Sequence, residues 1–322
     1  MNDLSFLVTL LCAHLDRTTA KQLLIVVESM LTMTGRITML GMSRWSEKGG
    51  SYRTIQRFFS KQIPWLTLNW ALIQSILEKS TGVILIAGDA TVVTKSGKAT
   101  YALGKFYSSI CNRSVPSISF QCLSIINVTT RKSWPIMIEQ MVPKTKKTDI
   151  VTTKQRPKRA KGRPKGSRNK IDIKLVLNDE MTQVQAMLKK LLSKLSNMIK
   201  PVYFVYDGAF GNSSAVQMVR DLDLHLVSKL RFDSALYSLY TGDYSGRGAP
   251  RKYGDKLDIH YIPEKHLCAT EQKNEVRTKT YQLELRHKKF KEPLNVVILC
   301  KENMKTRKKG HVILFSTDLT LE

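Results

Sequence analysis

The sequence predicts a mixed α/β protein, helical at its N-terminus, alternating strand and helix through its middle, and rich in strands towards its C-terminal end. Three observations predict it. Apolar residues recur at three- and four-residue spacing from Leu4 to about Leu77, the period changes near Thr81 to short continuous apolar runs, and after Phe232 Gly-, Tyr- and cation-rich turns separate alternating segments. At 322 residues and 42% hydrophobic, the chain can bury the core of one large or two ordinary domains.

The stretches TAKQLLIVVESMLTMT and LTLNWALIQSILEKS carry the helical period of the first region, with Gly, Ser and Pro64 between them. WSEKGGSYRTIQRFFSK reads as a turn and a short basic helix, with Ile55, Phe58 and Phe59 inward and Arg53, Gln56, Arg57 and Lys61 outward. That outer face suits a DNA groove or plain solvent. GVILIAGDATVV, ATYALGKFYSSI and ISFQCLSIINVTT then predict three strands of a meander. A helix from about Asp179 to Ile199, the buried strand PVYFVYDGAF, the helix SSAVQMVRDL and the extended LHLVSKLRF complete an order βββ, helix, β, helix, β from Gly82 to Phe232. TKTYQLELRHKKF, LNVVILCKE and HVILFSTDL predict three further strands.

The chain carries a formal net charge of +26. Nine of the seventeen residues from Lys154 to Lys170 are Lys or Arg, yet removing them still leaves +17. An excess this large and this distributed is suited to a polyanion, nucleic acid or a membrane surface. The apolar stretch LSFLVTLLCAHL follows Asp3, lacks a cationic lead and is too short to span, so no membrane segment and a cytoplasmic location are expected. Within the basic run, GRPKG places Arg163 in an extended shape that fits a narrow minor groove, while the whole run, including Arg159, Lys161, Lys165 and Arg168, can equally condense on any phosphate backbone. The five cysteines are scattered without a C-x-x-C pair, which argues for reduced, mostly buried thiols and against zinc.

Asp89 and Asp207 each follow an apolar run that belongs in a sheet interior, where a carboxylate is costly unless it is hydrogen-bonded or neutralised. Either alone reads as a strand-exit residue capping the next turn. If their strands lie side by side, the two carboxylates can share a divalent metal, Mg2+ or Mn2+, of the kind that activates water in phosphodiester cleavage.

GDATVVTKSGKATYALGKFYSS, VYDGAFGN, KGRPKGSRNK and HVILFSTDLTLE together resemble the DDE transposases of prokaryotic insertion sequences, in the branch with a Tyr-x2-Arg-x3-Glu-x6-Lys helix. The resemblance spans essentially the whole chain. It implies a ribonuclease H-like core at 81–232 with a basic loop at 144–170, an N-terminal helical DNA-binding domain at 1–80, and a β-rich insertion at 233–322 with the core incomplete at the C-terminus. It also implies Asp89 and Asp207 as the first two metal ligands, and metal-dependent cleavage and joining of double-stranded DNA, at element ends and target, by paired subunits associated with the nucleoid. The signature glutamate is not present: only Tyr244 has Arg three positions on, Arg247, and the next signature position holds Arg251. The expectation is therefore a chain cut before that helix, catalytically inactive, whose apolar sheet face lacks its cover.

Glu271, Glu275 and Glu284 are the local substitutes for the third acid, and Arg247, Arg251, Lys252, Arg286, Lys288, Lys289 and Lys291 are candidate phosphate contacts. Two other readings stay open: a non-catalytic DNA-binding remnant or inhibitor occupying element ends, and a basic RNA-associated protein.

Overall fold

The computed structural model describes residues 9–46, 50–108, 110–143, 177–195, 199–244, 246 and 248–321. The basic loop at 144–170, with Arg159, Lys161, Arg163, Lys165 and Arg168, lies wholly outside the described residues, and Arg247 lies outside them too.

Four helices open the described chain: α1 (Arg17–Thr32), α2 (Met39–Trp45), α3 (Tyr52–Phe59) and α4 (Trp65–Leu77). Asp16 caps α1 by accepting from the Thr19 N–H at 2.9 Å. Ala20, Leu23 and Val26 of α1, Met42 of α2, Ile55 and Phe58 of α3 and Leu68 of α4 form one small core. Phe59 departs from the expected inward set and is 47% exposed. The eight residues of α3 offer a single i, i+3 seam through Ile55 and Phe58, and Phe59 lies one helical step, about 100°, beyond it. The opposite side of α4, with Trp70, Ile73 and Leu77, joins the main core, so this helix packs into both clusters.

The strands are β1 (Ile84–Thr94), β2 (Gly104–Ser108), β3 (Arg113–Asn127), β4 (Lys132–Met141), β5 (Tyr203–Val205), β6 (His225–Leu230), β7 (Leu236–Leu239), β8 (Tyr253–Lys256), β9 (Leu267–Lys273), β10 (Val276–His287), β11 (Leu294–Asn303) and β12 (Lys309–Ser316). Helices α5 (Asp179–Leu195) and α6 (Ser213–Arg220) flank β5 in the chain. All twelve strands form one sheet in the order β2-β3-β1-β5-β6-β12-β11-β10-β7-β8, with β4 beside β3 and β9 beside β10. β1 runs antiparallel to β3 and parallel to β5, and β5 runs parallel to β6. This mixed centre, β4-β3-β1-β5-β6, is the ribonuclease H-like α/β arrangement. The C-terminal strands extend it without a break, because β12 pairs antiparallel with β6.

The region before α5 holds four strands, where the sequence pattern predicts three. The missed one, β4, contains Pro135, a residue that argues against a central strand. It is tolerated because β4 pairs only with β3, and the register shifts between Leu123 and Ser124, opposite Pro135.

One face of the sheet is covered. Met181, Val184, Met187, Leu188, Leu191 and Leu195 line the buried side of α5, and its first turn is capped by the Asn178 side chain, which accepts from the Met181 N–H at 2.7 Å. This stripe packs with α4, α6 and the sheet residues Ile86, Leu123, Ile125, Phe204, Leu226, Ile313, Phe315, Val296 and Ile298. The alternate residues Leu85, Ala87, Phe120, Cys122, Ser124, Val205, Val227, Leu314, Val297 and Leu299 face the other way, stay half-buried, and receive no described helix.

After β12 the chain turns back to the sheet. The Leu321 carbonyl accepts from Gln282 Nε2 at 2.7 Å and Asn295 Nδ2 at 2.6 Å, while the Tyr203 hydroxyl donates to Asp318 Oδ2 at 2.7 Å. Hydrogen bonds from Tyr203 and Thr320 hold the Asp318 carboxyl at about 2, below its ordinary 3.8. Because the folded value is depressed, this turn is fully stabilising above about pH 4 and loses its contribution as pH falls towards 2. Solvent screening keeps that contribution to about 1 kcal/mol or less. Asp318→Asn is expected to lower Tm by up to about 2 °C at neutral pH and to leave it nearly unchanged near pH 2, so that the acid limb of a Tm-against-pH curve is flattened.

Candidate active site

The β1–β5 register pairs Ile86 with Phe204 and Ala87 with Val205. Two residues further on, this register sets Asp89 level with Asp207. Neighbouring strands lie about 4.8 Å apart, and side chains at matched positions of parallel strands share a face. Carried on in this way, the register sets both carboxylates side by side on the face that no described helix covers, midway along β1 and just past the end of β5. Neither is buried, contrary to the expectation from their apolar flanks. The runs ILIAG and YFVY bury only their alternate members, and the aspartates fall on the opposite alternation.

Each carboxylate is held by one oxygen. Asp89 Oδ1 accepts from the Ala90 N–H at 2.8 Å, and Asp207 Oδ1 accepts from the Ala209 N–H at 3.0 Å, capping the short 3-10 turn Gly208–Phe210. The Asp207 carbonyl also accepts from Ser228 Oγ at 2.6 Å, tying the loop to β6. The second oxygen of each aspartate is left to face solvent. Two oxygen donors on rigid adjacent strands suit a hard divalent cation.

Beneath Asp207 the strand is anchored through Tyr206. Its hydroxyl lies 2.7 Å from Glu180 Oε1 and 2.8 Å from Gln121 Oε1, and its ring lies 3.9 Å from that of Phe210. Burial, then the bond to Glu180, raises the phenol far above its ordinary 10.0, so it remains a proton donor across the working range. Tyr206→Phe removes the one O–H shared between the buried Gln121 oxygen and the half-buried Glu180 oxygen and is expected to cost about 1–3 kcal/mol in denaturant unfolding. Gly88, next to Asp89, makes room for this ring: a Cβ there would meet Tyr206 Cδ2 at 2.7 Å.

The other predicted residues are dispersed. Glu284, on the uncovered face of β10, is level with Val205 but four strands away, about 19 Å. Glu271 lies on β9, beyond β10, and Glu275 pairs with Lys305 at 3.6 Å. Glu180 reaches the covered face. Among the described residues no group of three His, Cys, Asp or Glu side chains is placed to hold a metal ion. Arg251 and Lys288 lie over the rings of Tyr240 and Tyr237, each at 4.9 Å. Arg286, Lys288, Lys289 and Lys291 sit at the end of β10 away from the carboxylates, and Lys252 and Arg251 lie just before β8 at the sheet's far edge. Arg53, Gln56, Arg57 and Lys61 are exposed on and just beyond α3, as their helical positions predict, although Lys61 Nζ also donates to Thr19 Oγ1 at 2.6 Å. The cysteines are not the buried thiols expected: Cys12, Cys111 and Cys268 are exposed and Cys122 and Cys300 are half-buried. Cys111 belongs to the β2–β3 turn and Cys268 to the outlying strand β9, positions the sheet cannot enclose.

One residue missed in the sequence is Lys229. The β5–β6 register carries it level with Asp207 on the same face, exposed, which makes a row Asp89–Asp207–Lys229 over three parallel strands. The alternation in LHLVSKL signals it, since Lys229 shares a face with His225 and Val227 and is the charged, exposed residue at the end of that row.

A family model described as DDE superfamily endonuclease matches residues 10–289. The chain belongs to this family. No curated protein matches it. Membership fits both the mixed sheet and the two aspartates, one midway along β1 and one just past the end of the adjacent β5, and DDE superfamily endonucleases generally act with divalent metals. Among the described residues of this endonuclease no helix is long and apolar enough to cross a membrane.

Proposed function

We propose that this DDE superfamily endonuclease is a transposase that binds double-stranded DNA, at its element's ends and at the target, and cleaves and joins strands with Mg2+ or Mn2+. The observation that carries the reading is the parallel pairing of β1 with β5, which, carried two residues past Ala87 and Val205, sets the exposed Asp89 and Asp207 level with each other. Asp89 and Asp207 would hold the metal, which when bound supplies charge stabilisation and an activated oxygen nucleophile. Lys229, level with them, would hold a non-bridging phosphate oxygen. Arg53 and Arg57, on the exposed side of α3, would meet DNA at a distance from the chemistry. A pair of subunits on two DNA ends, in a nucleoid-bound cytoplasmic setting, follows from the resemblance. The basic loop, through Arg159, Lys161, Arg163, Lys165 and Arg168, would add phosphate contacts.

A second reading is non-catalytic occupation of element ends. It is favoured by one observation: no third carboxylate stands beside the pair among the described residues. Incubating the chain with end-labelled element DNA and Mg2+ or Mn2+ separates the two. Strand cleavage that EDTA abolishes supports the transposase; stable retention of the DNA with no nick, in either metal, supports occupation alone.

A further inference from the structure

Two clefts meet at the end of the sheet to which β1 and β5 point, where β10 and β12 begin and β11 ends. The larger, of about 450 Å3, lies over Arg277, Lys279, Cys300, Glu302 and Lys309, and its wall carries Tyr261. The second, of about 430 Å3, is bounded by Phe232, Asp233, Lys256 and Asp258. Both are lined by Ile259, His260 and His311, so they form one continuous groove. It lies on the sheet face opposite the aspartates, around the rim from them.

Two features of this groove are unusual for bare surface. Its aromatic members are displayed: Tyr261 is 82% exposed and Phe232 68% exposed. The backbone of each is anchored: the Phe232 carbonyl accepts from His311 Nε2 at 2.7 Å, with its ring 6.5 Å from that of His311, and the Tyr261 N–H donates to the Asp258 carbonyl at 3.1 Å. Its charge is also sorted. The larger cleft has Arg277, Lys279, Lys301 and Lys309 against the single acid Glu302, which takes up Arg277 at 2.6 Å and lies 4.0 Å from Lys309. Lys279 has no carboxylate partner among the described residues and faces the cleft from β10. In the second cleft Asp233 is engaged by Arg231 at 3.0 Å, and Asp258 Oδ1 accepts from the His260 N–H at 2.9 Å. Phosphates are thus favoured over the larger cleft, and a flat aromatic face is displayed in each cleft, Tyr261 in the larger and Phe232 in the second.

We infer that this groove binds a single-stranded stretch of DNA, with one or two bases stacked on Tyr261 and Phe232 and their phosphates on Lys279 and Lys309. A positively charged channel with displayed aromatic faces is what sequence-tolerant single-strand binding requires. The groove has the volume of a small-molecule site, which admits unstacked nucleotides and excludes a duplex. The nature of the ligand rests on the nucleic-acid reading proposed above; the site does not depend on Asp89 or Asp207. It gives the unpaired strand a place to go at the rim where cleavage would separate it from its complement.

The test is carried out on the full chain in EDTA, so that strand cleavage plays no part. A short oligodeoxythymidylate bearing 5-iododeoxyuridine is photo-crosslinked and the adduct mapped by peptide mass, and its affinity is measured by fluorescence anisotropy beside a duplex and free thymidine monophosphate. Crosslinks at Tyr261 or Phe232 are expected. Tyr261→Ala and Phe232→Ala should each weaken single-strand binding about 5- to 100-fold. Lys279→Ala should lower the slope of log affinity against log salt by about 0.7. Tyr261 and Phe232 are exposed and Lys279 is half-buried in the groove wall, and circular dichroism of each variant confirms an intact fold. Crosslinks confined to other segments, affinities within twofold of the parent, a duplex that competes as well as the single strand, or a mononucleotide that binds as tightly as the oligonucleotide would each overturn the assignment. A cleavage-dead protein that still crosslinks at Tyr261 leaves the groove standing and removes only the catalytic reading.

Discussion

Asp89→Asn and Asp207→Asn are each expected to reduce metal-dependent strand cleavage by at least about a thousandfold, while leaving Tm within about 1 °C of the parent. The first half follows from charge. A divalent cation stabilises developing negative charge by several kcal/mol, and each 1.36 kcal/mol is a factor of ten in rate. Removing one of two anionic oxygens aimed at the same place leaves a neutral amide that binds such a cation poorly. The second half follows from the geometry of each residue. Asp207 Oδ1 accepts from the Ala209 N–H and Asp89 Oδ1 from the Ala90 N–H, and an asparagine carbonyl can accept both bonds unchanged. Both side chains are exposed, so no buried charge is lost. Isothermal titration with Mn2+, which reads the site without any DNA, should show the same loss. If the variants cut as fast as the parent, the aspartate pair is a pair of turn caps and nothing more. Lys229→Ala makes a milder companion: it should weaken transition-state stabilisation roughly ten- to a hundredfold in the same assay, with metal affinity retained.

The central order of the sheet was legible because its signals are local. Apolar runs of the right length ended at Asp89 and Asp207, and the stripe from Met181 to Leu195 kept helical spacing. What was not legible depended on pairing. Pro135 hid β4, because a sequence does not say that a strand will lie at an edge opposite a register shift. The burial of the aspartates was misjudged for a related reason: five apolar neighbours look like an interior from every direction, whereas a sheet covered on one side buries only every second residue. Lys229 stood in plain view as a polar residue in a strand, but its relation to Asp207 exists only through the β5–β6 register. The groove beside Tyr261 is further still from sequence, since it joins residues from Phe232 to His311 that share no motif.

The uncovered sheet face ties these points together. Leu85, Val205, Val227, Leu314 and Leu299 alternate with fully buried partners, so the same strands that build the core also present a half-buried apolar stripe beside the carboxylates. Such a stripe favours association when it is left bare. It also leaves Asp89 and Asp207 open to solvent and to a broad substrate, which a second layer of helices directly over them would not.

Gly88→Val is expected to be the most damaging single substitution near the site. Gly88 and Tyr206 share the covered face of adjacent strands, and even an ideal Cβ at position 88 would lie 2.7 Å from Tyr206 Cδ2, 2.8 Å from Cε2 and 3.1 Å from Phe204 Cζ. None of these is the loose end of a flexible chain. The Tyr206 ring is stacked at 3.9 Å on Phe210, its hydroxyl is fixed between Glu180 and Gln121, and Phe204 and Phe210 are fully buried. Overpacking at such a place costs about 1–3 kcal/mol, and breaking the Tyr206 hydrogen bonds adds about 1–3 more. A loss of about 3–4 kcal/mol should lower Tm by roughly 4–6 °C in a chain of 322 residues. Cleavage should fall further than stability predicts, because Tyr206 is bonded directly to Asp207 and Gly88 to Asp89, so a ring driven outward shifts both carboxylates out of register. Combining Gly88→Ala with Tyr206→Leu, which removes the ring that the new Cβ would strike, is expected to recover part of the stability lost by Gly88→Ala alone. If thermal melts show the two losses simply adding, the contact between position 88 and the Tyr206 ring does not limit this fold.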